Sequence, residues 1–445
     1  MPPDDLPVTD RALKPYPDYK PTGLPWLASV PRHWDLVRTK HLFSERVEKG
    51  YPDEPLLAAT QTQGVVRKEK YGSRTVTAMK DLHLLKLVEP GDYVISLRSF
   101  QGGIELAHDR GIISPAYTVL QPSQQAKEGY FAHFFKSKAF IDSLTLYVTG
   151  IREGQNIDYK RLSRDELPVP PPAEQEAIGR FLRFVVGRAS RLIRAKQRLV
   201  ALLTEQKQAV IQRAVTRGLD PDAPMKRSGV DWLGEVPEHW EIRRLRYLCD
   251  IGTGSRDTAD RLDSGQYPFF VRSQTVERID TFSFDGEAVL TAGDGAGVAK
   301  VFHYTNGKFD YHQRVYRFSG FDRVYGKFTF YYLSANLRYE VLRLSAKSTV
   351  DSLRLPMLQN FSVAFPSVSE QAEIVASIEE RTDQIDSAIA TARSEIALIR
   401  EYRQRLVADV VTGKLDVRGV EVPDVPVLVD ETEDTEDSEL ALDDA

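Results

Sequence analysis

Arginine, lysine and glutamine gather in polar, glycine-bounded stretches at two places in this 445-residue chain. The first holds Gln61, Gln63, Arg67, Lys68, Lys70 and Arg74, followed by Arg98, Ser99 and Gln101 just after the strand-like run GDYVISL (91–97). The second holds Arg272, Ser273 and Gln274 after YPFFV (267–271), together with Lys300, His312, Gln313 and Arg314. These are the side-chain types that reach nucleic-acid base edges, arginine or lysine on guanine and glutamine on adenine. They also grip phosphates without regard to sequence. Any one of them alone reads more readily as a solvated surface charge, so the weight lies on the sets.

Other chemistry finds little support. The run AGDGAGVAK (292–300) lacks the GK[ST] ending of a phosphate loop, and its glycines are too close for a dinucleotide fingerprint. It reads as a tight β-turn near a nucleic-acid backbone. His33 and His239 each sit in a Pro-x-His-Trp with no nucleophile or metal cluster in view, which points to packing. Cys249 is the single cysteine, so it forms no internal disulfide and reads as a small core residue. Methyltransferase, Walker and nuclease motifs are missing. The chain is expected to be non-catalytic, with no catalytic residue, metal or cofactor of its own.

The elements that must position these sets follow from composition and repetition. Hydrophobic residues make up 42% and charged residues 28%, an ordinary globular balance, and the length suits two to four domains. The chain has no apolar run long enough for a membrane span and no signal-peptide pattern at its start, so the cytoplasm is the expected compartment. The net charge of −5 hides an asymmetry. Eleven of the 64 acids and none of the 59 bases lie in 421–445, which leaves about +6 on the rest. That tail is expected to be disordered.

The chain is written twice. GLPWLASVPRHW (23–34) returns as GVDWLGEVPEHW (229–240) with seven of twelve residues identical, and all four tryptophans lie in these copies. LPVPPPAEQEAI (167–178) matches VAFPSVSEQAEI (363–374), and each copy opens about forty helical residues ending in AVTRGLD (214–220) or VVTGKLD (410–416). Between the matched ends the pattern is β-rich, in AYTVL (116–120), EAVLTA (287–292) and HQRVYRF (312–318). GYFAHFF (129–135) and GKFTFYY (326–332) occupy corresponding places, and the two middles are expected to share a fold with diverged loops.

Both long segments carry heptads. In the first the seam runs through Leu182, Val186, Ala189, Ile193, Lys196, Val200, Leu203, Lys207, Val210 and Ala214. In the second it runs through Ile378, Thr382, Ile385, Ile389, Ala392, Ile396, Ile399, Arg403, Leu406 and Val410. Lys207 and Arg403 hold equivalent positions. Snorkelling to water is the favoured expectation for both, and a buried register-fixing role is the alternative. Pro172 suits a first helical turn, and Ser367 with Glu370 has capping-box spacing. Paired antiparallel, such helices would hold two readers apart like a ruler.

The doubled W-L-x-x-V-P-x-H-W, the P-x-x-x-E-Q helix starts and the T-G-K-L-D helix end resemble the specificity subunit of a type I restriction-modification system, over about residues 16–420. The resemblance implies an α+β fold with a pseudo-twofold internal repeat. Two similar β-rich target recognition domains (16–166 and 221–362) would be separated by two long antiparallel coiled-coil helices (spacers 167–220 and 363–416), with an N-terminal arm (1–15) and an acidic disordered tail (417–445). It implies reading of a bipartite, asymmetric target in double-stranded DNA, one half-site per domain. Two methyltransferase subunits and motor-nuclease subunits would be the partners, carrying S-adenosylmethionine, ATP and magnesium for adenine methylation and cleavage. Rivals are a coiled-coil scaffold whose modules bind protein or bind DNA non-specifically, and an autonomous nuclease or methyltransferase.

Overall fold

The computed structural model describes residues 13–61, 63–70, 81–149, 156–345 and 352–423. Contacts divide it into two compact units. Unit 1 takes the described parts of Met1–Gln197 and Arg393–Asp437, and unit 2 takes those of Arg198–Ala392. The division runs through the middle of both long helices, Pro172–Arg217 and Val368–Val411, because each half buries its apolar stripe in a different unit.

In unit 1, Asp35–Arg38 pairs antiparallel with Glu166–Val169, so the chain enters and leaves the β-rich part side by side before Pro172 starts the first long helix. The β-rich part is a four-stranded antiparallel sheet in the order Phe43–Arg46, Thr118–Pro122, Tyr93–Ile95, Glu105–Leu106. Its cover is the helices Glu128–Phe134 and Lys138–Leu144, packed through Phe43, Tyr93, Phe131, Phe135 and Phe140 with ring centroids 5.0–5.6 Å apart. Large rings on a small sheet give it a closed core without long strands.

In unit 2, Glu241–Arg244 pairs with Ser362–Phe365 in the same antiparallel way ahead of the second long helix. Its sheet has six strands, in the order Asp250–Thr253, Val315–Ser319, Phe284–Ala292, Phe302–Tyr311, Tyr267–Phe270, Glu277–Ile279. Tyr267–Phe270 joins Phe302–Tyr311 in parallel, and every other neighbour is antiparallel. The helix Gly326–Ser345 packs against this sheet through Phe328, Tyr332 and Leu333.

The repeated sequence motifs meet at the start of each long helix. Glu174 is buried and accepts from Trp34 Nε1 at 2.7 Å, from the Tyr16 hydroxyl at 2.6 Å and from His33 Nε2 at 2.7 Å. Gln175 donates to the Gln125 and Pro170 carbonyls and accepts from the Lys127 N–H. In unit 2, Glu370 takes Trp240 Nε1 at 3.2 Å and His239 Nε2 at 2.9 Å. Gln371 donates to the Arg323 and Pro366 carbonyls and accepts from the Tyr325 N–H. These Glu-Gln pairs satisfy buried donors and acceptors that would otherwise be costly. Ser367 Oγ accepts from the Glu370 N–H, but the Glu370 carboxylate goes to Trp240 and His239, so the capping box is only half made.

The heptad seam is buried towards the ends of each long helix, at Leu182, Ala189, Ile193 and Ala214 and at Ile378, Thr382, Ala392, Ile396, Ile399, Leu406 and Val410, and half-buried between. Ala189, Ile193, Ile396 and Ile399 form one apolar cluster in unit 1, flanked by Lys196 Nζ on Glu395 at 2.5 Å. In unit 2, Ile211, Ala214 and Val215 share a core with Ile374, Val375 and Ile378. Lys207 reaches outward to Asp386 at 2.6 Å with both groups partly in water, as snorkelling predicts. Arg403 instead donates to the buried Ser190 hydroxyl at 3.2 Å. Leu203, Ile385 and Ile389 are only half-buried.

Both ends of the described chain are held in unit 1. Leu13, in the expected N-terminal arm, is buried in unit 1, and Lys14 bridges Asp416. The expected tail start at 417 is also part of unit 1. Val417 is buried, Val420 and Val422 pack on the core, and Arg418 lies over the Tyr16 ring. The valines there are apolar enough to be held, and the rest of the acidic tail, 424–445, is outside the described residues.

Candidate nucleic-acid interface

In unit 2 the turn after the inner strand Phe284–Ala292 is the short 3₁₀ turn Gly295–Gly297, preceded by Asp294. Gly295 has φ +75°, a conformation that glycine adopts without strain. Arg272 follows the strand Tyr267–Phe270, and Arg314 precedes Val315–Ser319, so three separate segments end beside one another. Arg272 Nη1 donates to Asp294 Oδ1 at 3.0 Å, and Arg314 Nη1 donates to Asp294 Oδ2. Both guanidinium groups keep much of their surface in water. Burial pushes the Asp294 carboxyl up, but hydrogen bonds from Arg314 and Arg272 outweigh it and hold the group below the usual carboxylate range. The result is one ionised carboxylate under two arginines, with a net positive charge.

The other predicted residues of this set gather at the same end. Gln274 Nε2 donates to the Lys300 carbonyl at 3.2 Å, and Gln313 Nε2 donates to Asp257 at 3.1 Å. Lys300, Gln274 and Gln313 are exposed, and Ser273 is half-buried with its hydroxyl on the Thr275 carbonyl. His312 is not available to a ligand. It is 3% exposed, and its Nδ1 accepts the Arg314 N–H at 3.0 Å. Burial, then Arg272, keeps its imidazole below the ordinary value, which suits that acceptor role. Asp294, Asp257 and Arg256 are the members that sequence reasoning missed. Arg256 anchors the base of the site on the buried Asp310 at 3.2 Å.

In unit 1 the corresponding turn, Ser99–Gly102, follows Tyr93–Ile95. Gln61 lies across it, so a Cβ at Gly102 would come 2.7 Å from Gln61 Cγ. Gln61, Arg98 and Gln101 are exposed together, with Gln63 half-buried at the end of the same turn. Ser99 is a correction. Its side chain is buried and accepts the Ser96 N–H at 2.8 Å, so it shapes the turn and offers nothing outward. Arg67 and Lys70 belong to a different place. The hairpin pairs Arg67 with Leu57, away from the 61–63 turn, and both cations face Asp109 at 3.6 and 3.7 Å. Lys68 lies beside them in a 3₁₀ turn, and Arg74 falls outside the described residues.

Nothing else in the described residues competes as a site. No group of three or more His, Cys, Asp or Glu could hold a metal among them. Burial pushes the Cys249 thiol up to about 12, as expected of a core residue rather than a nucleophile. No described helix is long and apolar enough to cross a membrane.

Residues 237–396, which contain the whole unit 2 cluster, match the family model described as the type I restriction modification DNA specificity domain. The specificity subunit of the Escherichia coli type I restriction enzyme EcoDI is 30% identical over 182 residues, 41% of this chain and 40% of that one. The specificity subunit of the Methanocaldococcus jannaschii enzyme MjaVIII is 24% identical over 360 residues, 75% of this chain and 81% of that one. Over these spans the chain is similar to specificity subunits of type I restriction enzymes. A solved structure concerned with complex assembly and conformational transition of the type I R-M system shares the fold. Its TM-score is 0.59 at 18% identity, over 86% of this chain and 98% of that one.

Proposed function

We propose that this chain reads a bipartite, asymmetric DNA target with one half-site per unit. It holds partner methyltransferase subunits over adenines in that target and gives motor-nuclease subunits the same address. S-adenosylmethionine, ATP and magnesium would act on those partners, and this chain would do no chemistry of its own. The supporting observation is the convergence of Arg272, Gln274, Lys300, Gln313 and Arg314 at one end of a rigid sheet, inside the span that matches the specificity domain. Fixed guanidinium and amide groups of this kind suit guanine and adenine edges in the major groove. The first unit offers Gln61, Arg98 and Gln101 in a different constellation, so the two half-sites would differ.

In this account the paired helices set the unread gap, and the repeat in the sequence makes the whole pseudo-twofold. Selection from a randomised duplex library by the assembled complex tests the reading. Wild type should enrich a split motif, and Arg314→Ala should relax only its second half. Enrichment with no sequence preference would favour a non-specific binder instead.

A further inference from the structure

Behind the exposed turns of unit 1 lies a charged pair that the reading above does not use. Glu105 sits on the edge strand Glu105–Leu106 and is 2% exposed. Lys136, just after the helix Glu128–Phe134, places its Nζ 2.5 Å from Glu105 Oε1. The same ammonium donates to the Gln61 carbonyl at 2.9 Å and to the Gly102 carbonyl at 2.8 Å. An ammonium has three protons, and these three acceptors use all of them.

Two of the acceptors belong to different turns, the one at 61–63 and the one at 98–103. The other Glu105 oxygen, Oε2, is buried with no hydrogen-bond partner. Burial pushes the Glu105 carboxyl up to about 7 and pushes the Lys136 ammonium down, so the pair is held against the cost of desolvation. The fold does not require that cost. When GYFAHFF (129–135) is aligned with GKFTFYY (326–332), the residue after Lys136's segment in unit 2 is Leu333, fully buried and apolar.

We infer that Lys136 and Glu105 are positioning residues that tie the 61–63 turn to the 98–103 turn, so that Gln61, Arg98 and Gln101 present one fixed set to the first half-site. The inference rests on the DNA-reading function proposed above, but its structural half can be judged without DNA. Neither residue would touch a phosphate, so their loss should change discrimination and leave the salt dependence of binding alone.

The test uses the full chain carrying Lys136→Met with Glu105→Gln. Removing both charges together avoids stranding one in the interior, which by itself could unfold the unit. Amide hydrogen exchange on the free protein should speed up about tenfold at Gln61, Gln63 and 98–103, with Tyr93–Ile95 and Thr118–Pro122 unchanged. In the assembled complex, preference at the first half-site should fall about tenfold, with the second half-site and the salt slope as in wild type. Unchanged exchange in both turns, or faster exchange throughout unit 1, would overturn the inference. Faster exchange in the two turns with full discrimination retained would also overturn it. A wild-type complex with no preference at either half-site would refute the DNA-reading function, while the exchange experiment would still decide the role of the pair.

Discussion

Asp294→Asn separates orientation from charge at the unit 2 cluster. The carboxylate is ionised throughout the neutral range and holds Arg272 and Arg314 from two strands on its two oxygens. The amide has one acceptor oxygen and no charge, so one arginine is released and the site gains one positive charge. If that charge engages one more phosphate, the slope of log affinity against log salt steepens by about 0.9, or roughly threefold more loss between 50 and 200 mM salt. Loss of orientation acts in the opposite sense on specificity. A bidentate arginine–guanine contact discriminates by roughly tenfold or more, so preference for the correct second half-site should fall by about ten- to a hundredfold. Fluorescence anisotropy of the assembled complex on duplexes altered in one half-site at a time, at both salt concentrations, reads the two effects separately. Unchanged preference with an unchanged salt slope would refute the reasoning, as would equal losses at both half-sites.

Three further outcomes follow. Glu174→Ala should cost about 3 kcal/mol in urea unfolding because it strands the buried Trp34 and Tyr16 donors, whereas Glu370→Ala should cost about 1 kcal/mol; the carboxylates are 4% and 31% exposed. Burial, then the nearby Arg183, pushes the His133 imidazole down to about 4. Its folded value is therefore below the unfolded one, and stability present above about pH 6.5 should be lost as pH falls towards 4, by on the order of 2 kcal/mol. His133→Gln should flatten that dependence in urea titrations at pH 7 and 4.5. Removing one heptad from 173–216 shortens that helix by about 10 Å, so methylation mapping should show a gap changed by about three base pairs with both half-sites intact.

Much of the scaffold was legible because its signals are local. The 4-3 spacing that picks out Ala189, Ile193, Ile396 and Ile399 depends only on helix geometry, and all four are buried as predicted. The runs at 91–97, 267–271 and 312–318 gave the shorter strands Tyr93–Ile95, Tyr267–Phe270 and Val315–Ser319, because alternating branched and aromatic residues suit a pleated surface. The Pro-x-His-Trp and Glu-Gln motifs stood out as repeats, but the bond from Trp34 to Glu174 spans 140 residues and no local pattern announces it.

The candidate residues were legible as sets and less so one by one. Ser99 and His312 carry polar atoms that serve their own turns, and the direction of a short side chain cannot be read from its neighbours. Asp294 was overlooked because a glycine-rich turn suggested backbone, although an acid between two basic segments was a signal available to be used. Lys136 and Glu105 look like an ordinary surface lysine and an edge-strand glutamate until the fold sets the half-buried ammonium on the buried carboxylate.

The most direct test of the central claim is a single-molecule methylation map in a methylation-free host. One strain carries this chain with a candidate partner methyltransferase subunit, and the other carries that methyltransferase alone. The account predicts a split adenine motif with two different half-sites that appears only when this chain is present. The same methylation in both strains, or none despite a complex that co-purifies, would contradict it.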